Sequence, residues 1–300
     1  MRSLILGILA SGWIGSNLLA VGLEPLIVPH NGSMADDEFV KVRCEPNGQT
    51  DYFYALGTMS LQEDGKAPRH VFNFEGVDIS RCFYDKAADR WWLLSRKITL
   101  YRDPVNNALL RFWTNPVTGE SLNVLHRTYD YQEFQIPKQV STLDSGTSRV
   151  VSFDYNTYVP NPLADRPEYK AYAPYPFVQS SDAYKYIFPA RTEGETIDPR
   201  TTVLSYSRSG PFEPWMKMGD RPGRVFLNYS GYRVLTFQDL PQELQDLISG
   251  RLPLFREAPA CRLDLSIGTS WSRFEGQFKA YIAGDEFPLP APLKEEACLN

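Results

Sequence analysis

The chain has 300 residues, 43% of them hydrophobic, 13% aromatic and 22% charged, with 31 Lys and Arg against 36 Asp and Glu. A net charge of −5 excludes the strongly basic footprint of a nucleic-acid binder, and the aromatic content excludes disorder. With 23 Pro and 20 Gly among 17 Phe, 17 Tyr and 6 Trp, the composition is that of many short strands joined by turns, not of a helical bundle.

Residues 1–22 have the layout of a secretory signal peptide: Arg2, an apolar run from Leu4 to Ala10 that resumes at Trp13, Ile14 and Leu18–Val21, then small residues for cleavage near Gly22–Leu23. Ser11, Gly12, Gly15, Ser16 and Asn17 interrupt the run, which argues against a membrane anchor, and no later segment is apolar enough for a span. Residues 23–300 are expected to form one domain. The tripeptides Asn31-Gly32-Ser33 and Asn228-Tyr229-Ser230 are N-glycosylation acceptors that agree with export.

From Phe39 to Tyr155 short β-branched or aromatic runs alternate with turn clusters. The expected strands are Phe39–Glu45, Asp51–Ser60, Arg69–Glu75, Trp91–Tyr101, Ala108–Trp113, Ser121–Arg127 and Arg149–Tyr155. Their spacing predicts a single antiparallel β-barrel of lipocalin-like character. Residues 156–200, rich in Pro and Tyr, read as a long loop packed over the barrel. Strands return at Thr202–Ser207 and Arg224–Tyr229. A short helix is expected at Asp239–Ser249, capped by Asp239 and stopped by Gly250. The spacing of Trp271, Phe274, Phe278 and Ile282 predicts a second helix within Ser270–Tyr281.

In an oxidising compartment Cys44, Cys82, Cys261 and Cys298 allow two disulfides and three connectivities, of which the local pairing Cys44–Cys82 with Cys261–Cys298 is expected. No metal site is expected: His30, His70 and His126 are widely separated, and no cysteine pair has zinc spacing. There is no GxSxG elbow, phosphate loop or dinucleotide fingerprint. Any chemistry is therefore expected to need no cofactor and to use ordinary polar side chains in an apolar site.

His126 shares a parity with Leu122 and Val124, which makes it either a core histidine or an inward-facing acid or base. Glu75 and Arg111 lie in otherwise apolar runs, as does Arg81, and are either a structural ion pair or groups that polarise a ligand oxygen. Tyr54, Phe72 and Trp113 are candidate cavity walls. Trp215, Met216 and Lys217 are a candidate rim, with the apolar pair meeting a lipophilic ligand and Lys217 or Asp220 handling its polar group.

Three stretches carry a resemblance. They are Arg69-His70-Val71-Phe72-Asn73-Phe74-Glu75-Gly76-Val77-Asp78-Ile79-Ser80-Arg81-Cys82, Trp113-Thr114-Asn115-Pro116-Val117-Thr118-Gly119-Glu120, and Pro214-Trp215-Met216-Lys217-Met218-Gly219-Asp220-Arg221-Pro222-Gly223. Their order and spacing resemble the family called domain of unknown function 1838, over residues 37 to 283. More loosely, the chain resembles the fungal enzymes that join tropolone units to humulene-type sesquiterpenes by a hetero-Diels–Alder reaction. That likeness implies a secreted, cofactor-independent cyclase acting on a lipophilic small molecule. The alternatives are a carrier of such a molecule without chemistry and a purely structural extracellular protein.

Overall fold

The computed structural model describes residues 32–45, 48–190, 198–262 and 273–289. Ten strands form one antiparallel sheet. In chain order they are β1 (Gly32–Ala35), β2 (Asp51–Glu63), β3 (Arg69–Asp85), β4 (Arg90–Arg102), β7 (Arg127–Gln135), β8 (Gln139–Asp144), β9 (Ser148–Pro160), β10 (Phe177–Pro189), β11 (Val203–Gly210) and β12 (Gly223–Val234). Two short strands, β5 (Phe112–Thr114) and β6 (Ser121–Asn123), pair as a separate hairpin. Across the large sheet the order is β1-β8-β9-β10-β11-β12-β2-β3-β4-β7.

That order forces curvature. β7 ends at Gln135 and β8 begins at Gln139, although eight strand spacings separate them in the sheet. A flat sheet would place them about 38 Å apart at about 4.8 Å per strand, whereas four Cα steps reach at most about 14 Å. The sheet therefore curls into a half-barrel. Among the described residues β1 and β7 are its two ends.

The outer face of β2, β3 and β4 is covered by helix α2 (Gln242–Arg251) and its flanking 3₁₀ turns. Phe237, Leu240, Leu244, Ile248 and Phe255 pack there on Tyr52, Tyr54, Val77, Ile79, Ile98 and Leu100. Successive strand residues face opposite sides, so Asp78, Ser80, Ser95, Lys97 and Thr99 face the concave side. One end of the concavity is closed by helix α1 (Asp36–Arg43), whose Phe39, Val40 and Val42 pack with Phe53, Phe153, Tyr186 and the buried Cys44–Cys82 disulfide. The other end is filled by a cluster around Phe72, Tyr101 and Trp215, against which helix α3 (Phe274–Ile282) packs Phe274, Phe278 and Tyr281.

Mainly-β architecture and the barrel-like curl agree with the sequence reading. Several boundaries differ. The expected strand at Phe39–Glu45 is helix α1, because its apolar residues cover the concave end at helical spacing. The expected strand at Ala108–Trp113 shrinks to Phe112–Thr114. The expected Pro/Tyr loop holds the end of β9 and all of β10, and only residues 161–176 between them are irregular. Pro160 and Pro189 sit at strand ends, where a missing donor is tolerated. Helix α2 starts after Pro241 and runs through Gly250, while Asp239 closes a capping box with Thr236 on the preceding 3₁₀ turn. The expected terminal helix is α3. The expected signal peptide, Asn31 and Cys298 lie outside the described residues. Cys44–Cys82 is bonded as expected, and Cys261 is also in a disulfide. A buried disulfide fits an oxidising compartment. Among the described residues no helix is long and apolar enough to cross a membrane.

Candidate functional site

Between the two closed ends the concave side encloses a cavity of about 440 Å³ and an adjoining recess of about 160 Å³. Lys97, Gln132, Tyr184 and Arg208 line both, so they stand where the two meet. Leu93, Phe134, Phe153 and Phe39 supply apolar wall on the α1 side. Phe74, Tyr101 and Leu227 supply the floor of the recess. The volume falls within the range of small-molecule sites, and the lining combines apolar wall with convergent polar groups, as such sites do.

The polar groups form three linked sets. In the first, Arg43 of α1 donates to Asp78 Oδ2 at 2.7 Å, to Ser80 Oγ at 2.6 Å and to the Tyr186 hydroxyl at 3.1 Å. Lys97 Nζ lies 3.6 Å from the same Asp78 oxygen. In the second, Asp182 accepts from Arg208 Nη1 at 2.9 Å, from Ser180 Oγ at 2.9 Å and from the Tyr206 hydroxyl. In the third, Arg127 donates to the Tyr129 hydroxyl at 3.1 Å and lies 3.6 Å from Glu213.

Burial pushes the hydroxyls of Tyr155, Tyr184, Tyr206 and Tyr229 above the ordinary tyrosine value. Burial alone would lower Lys97, but Asp78 together with Tyr184 and Tyr186 outweighs it and holds the ammonium above its usual value. At neutral pH the cavity therefore presents protonated N–H and O–H groups. Three buried polar atoms on its wall make no hydrogen bond among the described residues: Asp78 Oδ1, Gln132 Oε1 and Arg127 Nη1.

The residues singled out from sequence lie elsewhere. Tyr54 and Glu75 are on the outer face. There the Tyr54 hydroxyl donates to Glu75 Oε1 at 2.8 Å, and Arg102 pairs with Glu75 at 2.5 Å and with Glu243 of α2 at 2.8 Å. The ion-pair reading of Glu75 thus has its partner in Arg102, not in Arg81 or Arg111. Arg111 is exposed and lies over the ring of Phe112. His126 is 1% exposed. Its Nε2–H donates to the Leu110 carbonyl at 2.9 Å and its Nδ1 accepts from the Tyr101 amide at 3.1 Å. Burial pulls its pKa down to about 4. His126 is thus a satisfied core histidine that does not line the cavity, which corrects its placement as an inward-facing acid or base.

Phe72, Trp113, Trp215 and Met216 are brought together, but as packing. Phe72 lies 5.1 Å from Trp113 and 5.6 Å from Trp215, and Trp113 lies 5.6 Å from Trp215. Met216 is fully buried, and its carbonyl accepts from Asn115 Nδ2 at 2.8 Å. Lys217 pairs with Glu120 at 2.6 Å, away from the cavity, and Asp220 is exposed. The three motifs thus meet in one aromatic plug beneath the recess, and Glu213, one residue before the third motif, reaches the recess itself. Asn228 is exposed on β12.

Lys97, Arg208, Arg43, Arg127, Asp78 and Asp182 were not singled out. A signal for Lys97 existed: Ser95, Lys97 and Thr99 alternate with Leu94, Ile98 and Leu100, which marks one polar face. Here the polar face is the inner one, because α2 covers the apolar one.

Fold and site together define a half-barrel whose concave cavity is compatible with a ligand-binding domain. The family model for the protein of unknown function DUF1838 matches residues 48–278, and the chain belongs to that family. No curated protein matches the chain.

Proposed function

We propose that this chain takes one lipophilic, oxygen-bearing small molecule into the half-barrel and transforms it without covalent attachment, in the secretory pathway or outside the cell. The observation that carries this reading is the mixed lining of the cavity. Phe134, Phe153 and Leu93 line the same cavity as Lys97, Arg208 and the buried tyrosines. Passive carriage of a lipophilic molecule needs only the apolar wall. Charged donors in a low-dielectric cavity stabilise negative charge that develops on a ligand oxygen.

The specific form of the proposal is a hetero-Diels–Alder cyclase. A hydroxylated ring loses water, its ring O–H proton going to solvent or a carboxylate and its leaving hydroxyl taking a proton from a donor. The quinone methide so formed meets an alkene held against the apolar wall. The protein's contribution is alignment and hydrogen bonding to the ring oxygen, and Lys97 and Arg208 are the residues placed for it. The test is to incubate secreted protein with a hydroxymethyl tropolone and a humulene-type alkene and to look for the water-loss adduct by mass spectrometry. Adduct formed above the protein-free rate is the expected result. Ring compound bound and recovered unchanged supports the carrier instead, and no binding of either compound refutes both.

A further inference from the structure

We infer that the junction of cavity and recess is an anion subsite, centred on Lys97, for the oxyanion of an aromatic or polycyclic organic monoanion. This rests on the cavity reading above and narrows it to a ligand class.

Ion pairing in the lining leaves Lys97 the least firmly held of its cations. Four cations line the cavity and recess: Arg43, Lys97, Arg127 and Arg208. Four carboxylates do so: Asp78, Glu133, Asp182 and Glu213. Glu133 is held by the Tyr131 hydroxyl and by Arg262 at 3.2 Å, a cation from outside the lining that also pairs with Asp85 at 2.8 Å. Asp182 is held by Arg208 at 2.9 Å and Glu213 faces Arg127 at 3.6 Å. Asp78 is taken by Arg43 at 2.7 Å, and Lys97 reaches that same oxygen only at 3.6 Å. Arg43, Arg127 and Arg208 each donate a side-chain hydrogen bond, and Lys97 is the lining cation that makes none among the described residues, sharing Asp78 with Arg43 at the longer distance. A charge in such a cavity is costly unless well paired, so an ammonium left with one long, shared ion pair suits an incoming anion.

Position agrees with charge. The Lys97 side chain keeps 27% of its surface exposed, and it lines both spaces. Beside it Gln132 Oε1 and Asp78 Oδ1 are buried acceptors and Arg127 Nη1 a buried donor, none of them hydrogen-bonded among the described residues. An anion that also carries a hydroxyl would answer these atoms. The walls at Phe134, Phe153 and Leu93 suit a ring body.

The test uses two fluorescent probes of one skeleton, 8-anilinonaphthalene-1-sulfonate and its uncharged relative N-phenyl-1-naphthylamine, on the folded full chain. The anionic probe should bind about tenfold or more tightly than the neutral one. Lys97→Met should remove that margin while leaving the neutral probe's affinity unchanged, and Lys97→Arg should keep it. Lys66→Met, at an exposed lysine paired with Glu63, should change neither. An arm that needs no variant is reductive methylation of the wild-type protein read by mass spectrometry: the anionic probe should protect Lys97 and the neutral probe should not. Equal affinities with no selective protection overturn the anion subsite and leave the cavity reading standing. The same loss in Lys66→Met as in Lys97→Met also overturns it, because surface charge then explains the margin. Binding of neither probe overturns the cavity reading and this inference with it.

Discussion

His126 gives the sharpest test of the core. Its ring is stacked 5.1 Å from Phe287, and its two nitrogens are committed to backbone, one as donor to Leu110 and one as acceptor from Tyr101. Only the neutral ring satisfies both. Protonation would place two N–H groups face to face. Burial accordingly lowers the pKa from 6.5 to about 4. A histidine whose folded pKa lies below its unfolded one contributes stability that is whole above pH 6.5 and is lost as pH falls toward 4. Linkage over that window gives about 3 kcal/mol, of which about 2.5 kcal/mol is gone by about pH 4.5. Asp51, pushed up to about 6 by burial despite its pair with Arg233, titrates in the same window with the opposite sign. The quantity to measure is therefore wild type minus His126→Gln, by urea unfolding followed through tryptophan fluorescence at several pH values. The variant should cost about 1–3 kcal/mol at neutral pH. The gap should shrink or reverse by about 2.5 kcal/mol on acidification. Parallel pH curves for the two proteins would refute a neutral buried His126.

Three further outcomes follow from the same structure. Replacing both Cys44 and Cys82 by Ala removes a buried bridge of sequence separation 38 and should cost about 2–4 kcal/mol in denaturant unfolding. A shift of the denaturation midpoint within error of zero would count against the bridge. Gly57→Ala would place a methyl 2.3 Å from the Asn228 carbonyl and 2.6 Å from the Phe74 ring, so it should lower stability by about 1–3 kcal/mol, and an unchanged melting temperature would show that the sheet is looser there. Asn228 is exposed and Ser230, two residues on along the strand, is exposed beside it. Protein secreted from a eukaryotic host should therefore lose glycan mass at Asn228 on enzymatic deglycosylation, and a bare peptide would refute modification of this face.

What the sequence made legible, and what it hid, comes down to which face of a strand is the inside. Strand existence was readable because β-branched and aromatic runs between turn residues need only local chemistry: Asp51–Ser60, Trp91–Tyr101, Thr202–Ser207 and Arg224–Tyr229 lie almost wholly within β2, β4, β11 and β12. The facing of those strands was not readable. Tyr54 is expected as a cavity wall, yet with Val77, Ile79, Ile98 and Leu100 it serves the outer face, where helix α2, far along the chain, covers them. Asp78, Lys97, Asp182 and Arg208, to which the sequence analysis gives no role, point inward. The expected end of β3 at Glu75 shows the same inversion: Gly76, Asp78 and Ser80 look like a strand running out, and are instead the inner row of one that continues to Asp85. A half-barrel with a helix on its back has two buried faces, and both hold charge: Glu75 with Arg102 on the outer one, and the cavity's cations and carboxylates on the inner one. Local alternation distinguishes two faces without saying which is which. That choice is made by the strand order and by the placement of α2, both of them long-range. Where pattern is local, as in the aromatic plug built from the three motifs, the sequence reading found the right residues together and misjudged only what they enclose. The plug supports the recess floor, and the charge that would meet a ligand comes from the strands that stand above it.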